Sequence, residues 1–229
     1  MSYWKNTIYS LIEKTSTELP IDVRQALSKA IEAEGKRSNA RLTLETMYQN
    51  NEIAGKSKRP ICQDTGTLIF YITVPPGFSS LKLKHSACQA VKEATADGLL
   101  RQNCVDPLTG RNTTDNTGPG SPVFHIHEAD TENYDRVEVA LILKGGGCEN
   151  VGCQYALPNA ELSAARDFKG VQKCAVNAVW RAQGRGCAPG VLSICIGGDR
   201  ATGYEASKRQ LLRKLGERSN IPEIAELEK

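Results

Sequence analysis

The 229-residue sequence has a size and composition that exclude several classes of protein. Apolar residues make up 40% of it and the net charge is +3, so it can bury a core and has no charge excess that demands nucleic acid or an anionic membrane. No apolar run approaches the roughly 18 residues of a membrane span, and the N-terminus has no signal core. The sequence therefore predicts a soluble, cytoplasmic protein.

The first part of the sequence predicts mainly helices. Apolar residues recur every three or four positions over residues 4–33, with Pro20 dividing the run into two helices, and again over residues 39–54. The segment "TLIFYITVP" (67–75) is rich in β-branched and aromatic residues and predicts a strand. Residues 80–103 predict a long helix.

The second part mixes strands and helices. After a turn-rich stretch at 104–122, "VFHIHEAD" (123–130) and "RVEVALILKGG" (136–146) predict two strands that pair with each other. Three further elements follow: a helix at 170–184, a strand at 190–198 and a helix at 203–217. Because the two element types do not alternate strictly, the sequence predicts an α+β fold with mixed sheets flanked by helices, in a single domain over residues 1–229.

A thiol, an amide and an acid stand directly before the strand at 67–75, as Cys62, Gln63 and Asp64. Asp64 can act as a general acid or base, or it can form an Asx turn before Thr65-Gly66, and the two interpretations are compatible. Local sequence does not choose between a turn and a site.

Three glycine-rich segments border predicted strands, at 141–150, 184–190 and 195–206. Glycine is kept where the backbone needs a positive φ or approaches a ligand closely, and exposed N–H groups there bind carboxylates or phosphates. Each segment alone is typical of a tight turn, but three in one sequence favour a site. Neither a P-loop nor a G-x-G-x-x-G motif is present.

Arginine, histidine and cysteine residues leave alternatives open. Arg101, predicted at the end of a helix, can form a fork with a carboxylate or face the helix dipole. His125 and His127 alternate along a strand, which allows a two-histidine metal pair or a half-solvated face. The eight cysteines contain no C-x-x-C pair. Each is either a small buried hydrophobic residue or one of several thiolates that converge on a cluster.

Five segments together resemble one family: "ICQDTG", "LRQNCVDPLTGRNTTDNTG", "ILKGGGCEN", "GRGCAPGVLSICIGGDR" and "GYEASKRQL". They occur in family order over roughly residues 60–215. The family is that of the iron–sulfur hydro-lyases, with class I fumarases and the α subunits of L(+)-tartrate dehydratase and two-subunit fumarases. The resemblance implies a fold like the N-terminal domain of class I fumarases. The residues of "KGGGCEN" and "CIGGDR" resemble those of the tartrate dehydratase α subunit more than those of single-chain fumarases.

The resemblance implies a [4Fe–4S] cluster held by three cysteines and the reversible addition or removal of water on a C4 dicarboxylate. Cys62 and Cys187 match two of the cluster ligands. The remaining matches assign proton transfer to Asp64 and substrate contact to Gln63, Arg101 and Gly147.

The resemblance also implies partners and a departure from the family. A β subunit is expected as a partner. The chain itself is expected to form a homodimer or to be part of an α₂β₂ assembly. The family continues to a histidine and a third cysteine that have no counterpart here, so the sequence is expected to be truncated at the C-terminus or to be completed by a separate chain. The alternative is an inactive homologue that serves as a binding or partner module.

Overall fold

The computed structural model describes residues 2–131 and 134–229. Within these residues the chain divides into two compact units, Met1–Gly145 and Gly146–Lys229. Helices accompany one small mixed sheet of three strands, which confirms the predicted α+β class. The single-domain organisation stays a prediction.

The first unit opens with three helices, as the sequence predicts: α1 (Ser2–Thr17), α2 (Ile21–Ala33) and α3 (Asn39–Ser57). Pro20, which has no backbone N–H, separates the first two. α3 begins after Ser38, whose hydroxyl accepts a hydrogen bond from the backbone N–H of Arg41 (3.0 Å).

Helix α4 (Leu81–Ala96) is shorter than the predicted helix at 80–103. Gly98 adopts a left-handed φ of +77°. Its N–H and that of Leu99 donate to carbonyls of the last turn at 3.1 and 2.9 Å, which forms a Schellman motif. Arg101 therefore lies beyond the end of the helix, not within it as the sequence predicts.

Strand β1 (Thr67–Val74) lies at the centre of the sheet. β2 (Val123–Glu128) pairs with it in parallel and β3 (Glu138–Lys144) pairs with its other edge in antiparallel fashion. Both predicted strands exist, but the predicted pairing between them is wrong. β1 is almost entirely buried, and this long apolar run takes the position where both edges are paired.

The core of the first unit lies where α1 and α4 cover one face of β1. Its buried residues are Ile8, Ile12, Leu68, Phe70, Ile72, Val74, Leu83, Ala87, Ala90, Val91, Ala94, Leu99, Leu100 and Leu141. Alternate residues of β1 enter this cluster, as the two-residue period of a strand requires. The core fixes the start of β1, and the "CQDTG" segment ends there.

The second unit is helical: α5 (Gly146–Asn150), α6 (Phe168–Ala182), a 3₁₀ turn (Gln183–Arg185), α7 (Arg200–Gln210) and α8 (Pro222–Leu227). The helix predicted at 170–184 is confirmed, whereas the one predicted at 203–217 begins at Arg200 and ends at Gln210. No helix among the described residues is both long and apolar enough to cross a membrane.

The predicted strand at 190–198 is wrong. The segment forms no ladder with any other described residue. Its apolar side chains Val191, Leu192 and Ile196 are 59, 51 and 55% exposed. β-Branched residues favour a strand only where a neighbouring strand and a buried face are present, and neither accompanies this segment.

Candidate functional site

The segment before β1 is an Asx turn. Asp64 Oδ1 accepts a hydrogen bond from the backbone N–H of Gly66 (2.9 Å), and the backbone N–H of Asp64 donates to Cys62 Sγ (3.4 Å). The turn interpretation is thereby confirmed, and it remains compatible with proton transfer by the same carboxylate. Cys62 and Gln63 are exposed beside it.

Two glycines let this turn pack against the end of β3. Gly66 has a φ of +68°, and a Cβ there would lie only 2.1 Å from the carbonyl oxygen of Lys144. A Cβ on Gly145 would lie 3.1 Å from Asp64 Oδ2. The first glycine of the "GGG" triplet therefore makes room for the Asp64 carboxylate.

The turn is also anchored to the helices of the first unit. The backbone N–H of Ile61 donates to the carbonyl of Ser16 in α1 (2.9 Å). The side-chain amide of Asn50 in α3 donates to the carbonyl of Ile61 (2.8 Å). Cys62 thus follows a backbone position that is held from two sides.

Arg101 is tied to the turn through Thr65, which is buried. The Arg101 N–H donates to Thr65 Oγ1 (3.1 Å), and the Arg101 carbonyl accepts from Asn116 Nδ2 (2.7 Å). Asn103 Oδ1 accepts from both the N–H and the hydroxyl of Thr65, at 3.0 and 2.9 Å. These bonds fix the Arg101 backbone beside the turn that contains Asp64. The Arg101 residue is exposed, and its side chain faces solvent.

Sequence reasoning missed Asn103 and Asn116. Asn116 is 2% exposed and has a φ of +59°. Asparagine tolerates the left-handed region better than most residues. The run "TTDNTG" was therefore a usable signal for a specific turn, although not for its partners.

The second unit brings Gly147 and Cys187 together. A Cβ on Gly147 would lie 3.9 Å from Cys187 Sγ and 3.5 Å from the carbonyl oxygen of Arg185. An ion pair between Lys208 and Glu149 joins α7 to α5 beside them. Two of the predicted site residues thus share one loop–helix contact, and Cys187 is exposed.

The third glycine-rich segment is a helix start rather than an open anion site. Gly197 and Gly198 have φ values of +89° and +77°. They lead to Asp199, whose carboxylate accepts hydrogen bonds from the N–H groups of Ala201 (2.9 Å) and Thr202 (3.4 Å). The hydroxyl of Thr202, with these N–H groups, holds the pKa of Asp199 below its ordinary value. The donors that could have received a ligand carboxylate are used by the protein itself.

The histidine pair of β2 lies in half-buried surroundings. His125 stacks on Tyr71 of β1, with ring centroids 4.9 Å apart and an interplanar angle of 24°. The parallel register places His127 opposite Thr73. Among the residues that the structure describes, no group of three histidine, cysteine, aspartate or glutamate side chains is placed to hold a metal ion.

All eight cysteines lie within the described residues and none forms a disulfide. Only Cys174 is buried, and burial raises the pKa of its thiol. Four are exposed, namely Cys62, Cys153, Cys187 and Cys195. The interpretation of each cysteine as a buried hydrophobic residue is therefore wrong for these four, which include both predicted cluster ligands.

The thiols fit an iron–sulfur cluster only in part. Exposed thiols such as Cys62 and Cys187 suit iron, which is held in such clusters by cysteine thiolates. A three-thiolate set is not complete within the described ranges, because no group of three candidate ligands forms there. These residues alone do not make a full cluster site.

Comparison with protein families decides the identity of the chain. The sequence model of the family described as fumarate hydratase (Fumerase) matches residues 5–229. The chain belongs to the fumarate hydratase family. Its Asx turn, exposed thiols and exposed Arg101 are thus features of a fumarate hydratase family member.

Three relatives illustrate the position of the chain within this family. A Geobacillus stearothermophilus protein provisionally named fumarate hydratase class I is 44% identical over 97% of this chain and 43% of its own length. A Methanocaldococcus jannaschii protein provisionally named L(+)-tartrate dehydratase subunit alpha is 34% identical over 98% of this chain and 77% of its own length. The L(+)-tartrate dehydratase subunit alpha of Escherichia coli is 32% identical over 93% and 68%, respectively.

Two consequences follow from these comparisons. The chain spans less than half the length of the fumarate hydratase relative and about two thirds to three quarters of the two alpha subunits. The expectation that the tartrate dehydratase subunit is the nearer type is wrong among these three. The fumarate hydratase relative shares 44% identity, against 34 and 32%.

Proposed function

We propose that this chain is the alpha-subunit-type part of a [4Fe–4S] hydro-lyase that reversibly adds or removes water on a C4 dicarboxylate, either fumarate/malate or tartrate. The observation that carries the proposal is the match of the fumarate hydratase family across residues 5–229. The names of the relatives, fumarate hydratase and L(+)-tartrate dehydratase, support the same reaction class.

In the first unit, the proposal gives each residue of the turn a role that its geometry allows. The Arg101 guanidinium binds a substrate carboxylate, since its planar fork matches the two oxygens. Asp64 moves the proton, and the hydrogen bond from Gly66 to Oδ1 holds its carboxylate in place. Gln63, exposed beside it, is a substrate contact through its amide.

In the second unit, Gly147 is the proposed backbone contact to substrate and Cys187 the proposed partner of Cys62 in cluster binding. The contact between Gly147 and Cys187 supports a shared role for them. A [4Fe–4S] cluster bound by three thiolates supplies an open iron as a Lewis acid. The proposal assigns no third ligand, since no group of three candidate ligands forms among the described residues.

The proposal also names partners. Relatives called alpha subunits support a β subunit that works with this chain. A homodimer or an α₂β₂ assembly, and a cytoplasmic location, stay predictions.

Anaerobic reconstitution with iron and sulfide tests cluster binding. The wild-type chain, together with its β partner, should become brown and bind about four irons per chain. Cys62→Ser and Cys187→Ser should each lower the iron content, while Cys195→Ser, which changes another exposed thiol, should not. A colourless, iron-free protein would contradict the cluster assignment.

Hydration assays on the same complex test the reaction. Asp64→Asn should lower kcat by roughly 100- to 10,000-fold, because it removes a general acid or base without changing the size of the side chain. Arg101→Ala should mainly raise KM for the dicarboxylate. Arg111→Ala, which changes another exposed arginine of the same loop, is the matched control. Turnover of neither fumarate, malate nor tartrate would contradict the proposed activity.

The alternative function is that of an inactive homologue that binds a partner. The observation that favours it is the lack of a three-ligand metal group among residues 2–131 and 134–229. It predicts partner binding without iron uptake, so the reconstitution experiment separates the two functions.

A further inference from the structure

Asn116 occupies an unusual position in the first unit. It is 2% exposed and lies in the left-handed region of backbone conformation. Its side-chain oxygen accepts from the N–H groups of Asn103 (3.0 Å) and Cys104 (3.1 Å). Its side-chain nitrogen donates to the Arg101 carbonyl (2.7 Å) and to Thr95 Oγ1 (3.0 Å). Two donated and two accepted bonds use the full hydrogen-bonding capacity of the amide.

The bond to Arg101 is one half of a clamp. The Arg101 carbonyl is held by Asn116, and the Arg101 N–H is held by the hydroxyl of Thr65. Thr65 directly follows Asp64 in the Asx turn. The position from which the Arg101 side chain leaves the backbone is therefore set relative to the Asp64 carboxylate.

The clamp holds a backbone whose side chain is exposed. A long arginine side chain loses much conformational freedom when it binds a ligand, so a fixed starting point lowers the cost of placing its guanidinium. Thr95 adds support from α4, since its hydroxyl also donates to the Val91 carbonyl (2.7 Å). The anchor of the clamp is thus the hydrophobic core.

We propose that Asn116 is a positioning residue for substrate binding: it acts through Arg101 by holding the backbone from which the guanidinium reaches a C4 dicarboxylate beside Asp64. This inference rests on the proposed function, because it takes Arg101 as the carboxylate-binding group. Asn116 is 2% exposed and its amide is fully bonded within the protein, so its effect on substrate is exerted through Arg101.

A double-mutant cycle on the reconstituted complex of the full chain with its β partner tests the inference. Dissociation constants for L-malate and L(+)-tartrate are measured by calorimetry for the wild type, Asn116→Asp, Arg101→Ala and the double variant. Asn116→Asp keeps the acceptor toward Asn103 and loses the donor toward Arg101. It should weaken binding roughly tenfold or more in the wild-type background, and should cause no further loss in the Arg101→Ala background.

Matched variants separate positioning from stability. Asn51→Ala removes another buried asparagine, which accepts from the Leu19 N–H (2.9 Å), and should lower the unfolding temperature without changing affinity. Thr65→Val breaks the other half of the clamp and repeats the test if Asn116→Asp does not fold. It should show the same dependence on Arg101.

The outcomes are distinct. Unchanged affinity in Asn116→Asp, or an equal loss in both backgrounds, would overturn the positioning role while the proposed function stands. If Arg101→Ala binds as well as the wild type, the assignment of Arg101 fails and the inference fails with it. If the wild-type complex binds neither diacid, the proposed dicarboxylate function itself is overturned.

Discussion

The two compact units of the chain differ in what stabilises them. Nearly all of the buried hydrophobic residues lie in Met1–Gly145, where most form one cluster between helices and sheet. Among the described residues, Gly146–Lys229 adds only Ala164 and Cys174 to this buried set. Its helix α6 even leaves an apolar stripe exposed, formed by Val176, Val179 and Trp180 at 71, 56 and 71%.

Polar contacts take the place of a core in the second unit. Asp167 caps α6 by accepting from the Gly170 N–H (2.7 Å), and an ion pair joins Arg213 to Glu228 (2.7 Å). This pair is only partly buried, and ion pairs near the surface contribute little to stability, about 0–1 kcal/mol each. The first unit is therefore stabilised mainly by apolar burial. The second relies on polar contacts, whose local unfolding requires little free energy.

The largest expected difference in stability between the two units comes from truncating one aromatic side chain in each. Phe70 is fully buried and stacks on Phe124 with centroids 5.4 Å apart. Phe70→Ala should lower the free energy of unfolding by about 3–5 kcal/mol, because it leaves a cavity in the core. Trp180→Ala, at a 71% exposed position, should change it by less than about 0.5 kcal/mol. Urea unfolding of the full chain, followed by circular dichroism, measures both.

The Trp180→Ala result can contradict this contrast between the two units. A loss of more than about 2 kcal/mol would show that the α6 stripe is covered in solution, since truncation of an exposed residue has no cavity to create. Repeating the measurement at two protein concentrations would then show whether another copy of the chain covers it, because oligomer stability depends on concentration.

The same substitution at two glycines gives the next largest effect. Gly66→Ala places a Cβ 2.1 Å from the Lys144 carbonyl oxygen at a φ of +68°. It should therefore cost about 2 kcal/mol or more. At Gly147 a Cβ meets ordinary contacts of 3.5 and 3.9 Å within a helix. Gly147→Ala should leave the free energy of unfolding within about 1 kcal/mol of the wild type.

Thermal unfolding of the two glycine variants checks this pair. Equal destabilisation by both would show that α5 is packed as tightly as the turn before β1. If Gly147→Ala is stable as expected, it becomes a clean variant for testing the proposed substrate contact, because any change in affinity then has no folding component.

The elements that sequence could predict are those whose signal is local. The helices at the start of the chain and β1 follow from periodicity and from one long apolar run. The partner of β2 could not be predicted, because strand pairing depends on which strand reaches the centre of the sheet. The strand expected at 190–198 failed for a related reason: its propensity needs a partner strand, and the described residues supply none.

The candidate site divides in the same way. Cys62, Gln63 and Asp64 are adjacent in sequence, and their turn could be predicted from the residues themselves. Asn116 acts on Arg101 across 15 positions. Its role arises from tertiary hydrogen bonds, which produce no periodic pattern in the amino-acid sequence. The sequence therefore indicated the chemical groups, while the support that places them became visible only in the fold.

The smallest expected effect concerns a hydrogen bond that joins α1 to Asp97, the residue directly after α4. The Tyr9 hydroxyl donates to Asp97 Oδ2 (2.7 Å), and this bond, with burial and the negative charge of Asp97, raises the pKa of Tyr9 to about 12. A raised tyrosine pKa means that the folded state holds the proton more tightly than the unfolded state, where the pKa is about 10. The stabilisation is therefore complete below pH 10 and is lost as the pH rises through 12.

Tyr9→Phe should lower stability at neutral pH and remove this alkaline loss, which urea unfolding between these pH values measures. An unchanged alkaline slope in Tyr9→Phe would show that the α1–α4 contact depends on apolar burial alone, and would make the contrast between the two units sharper still.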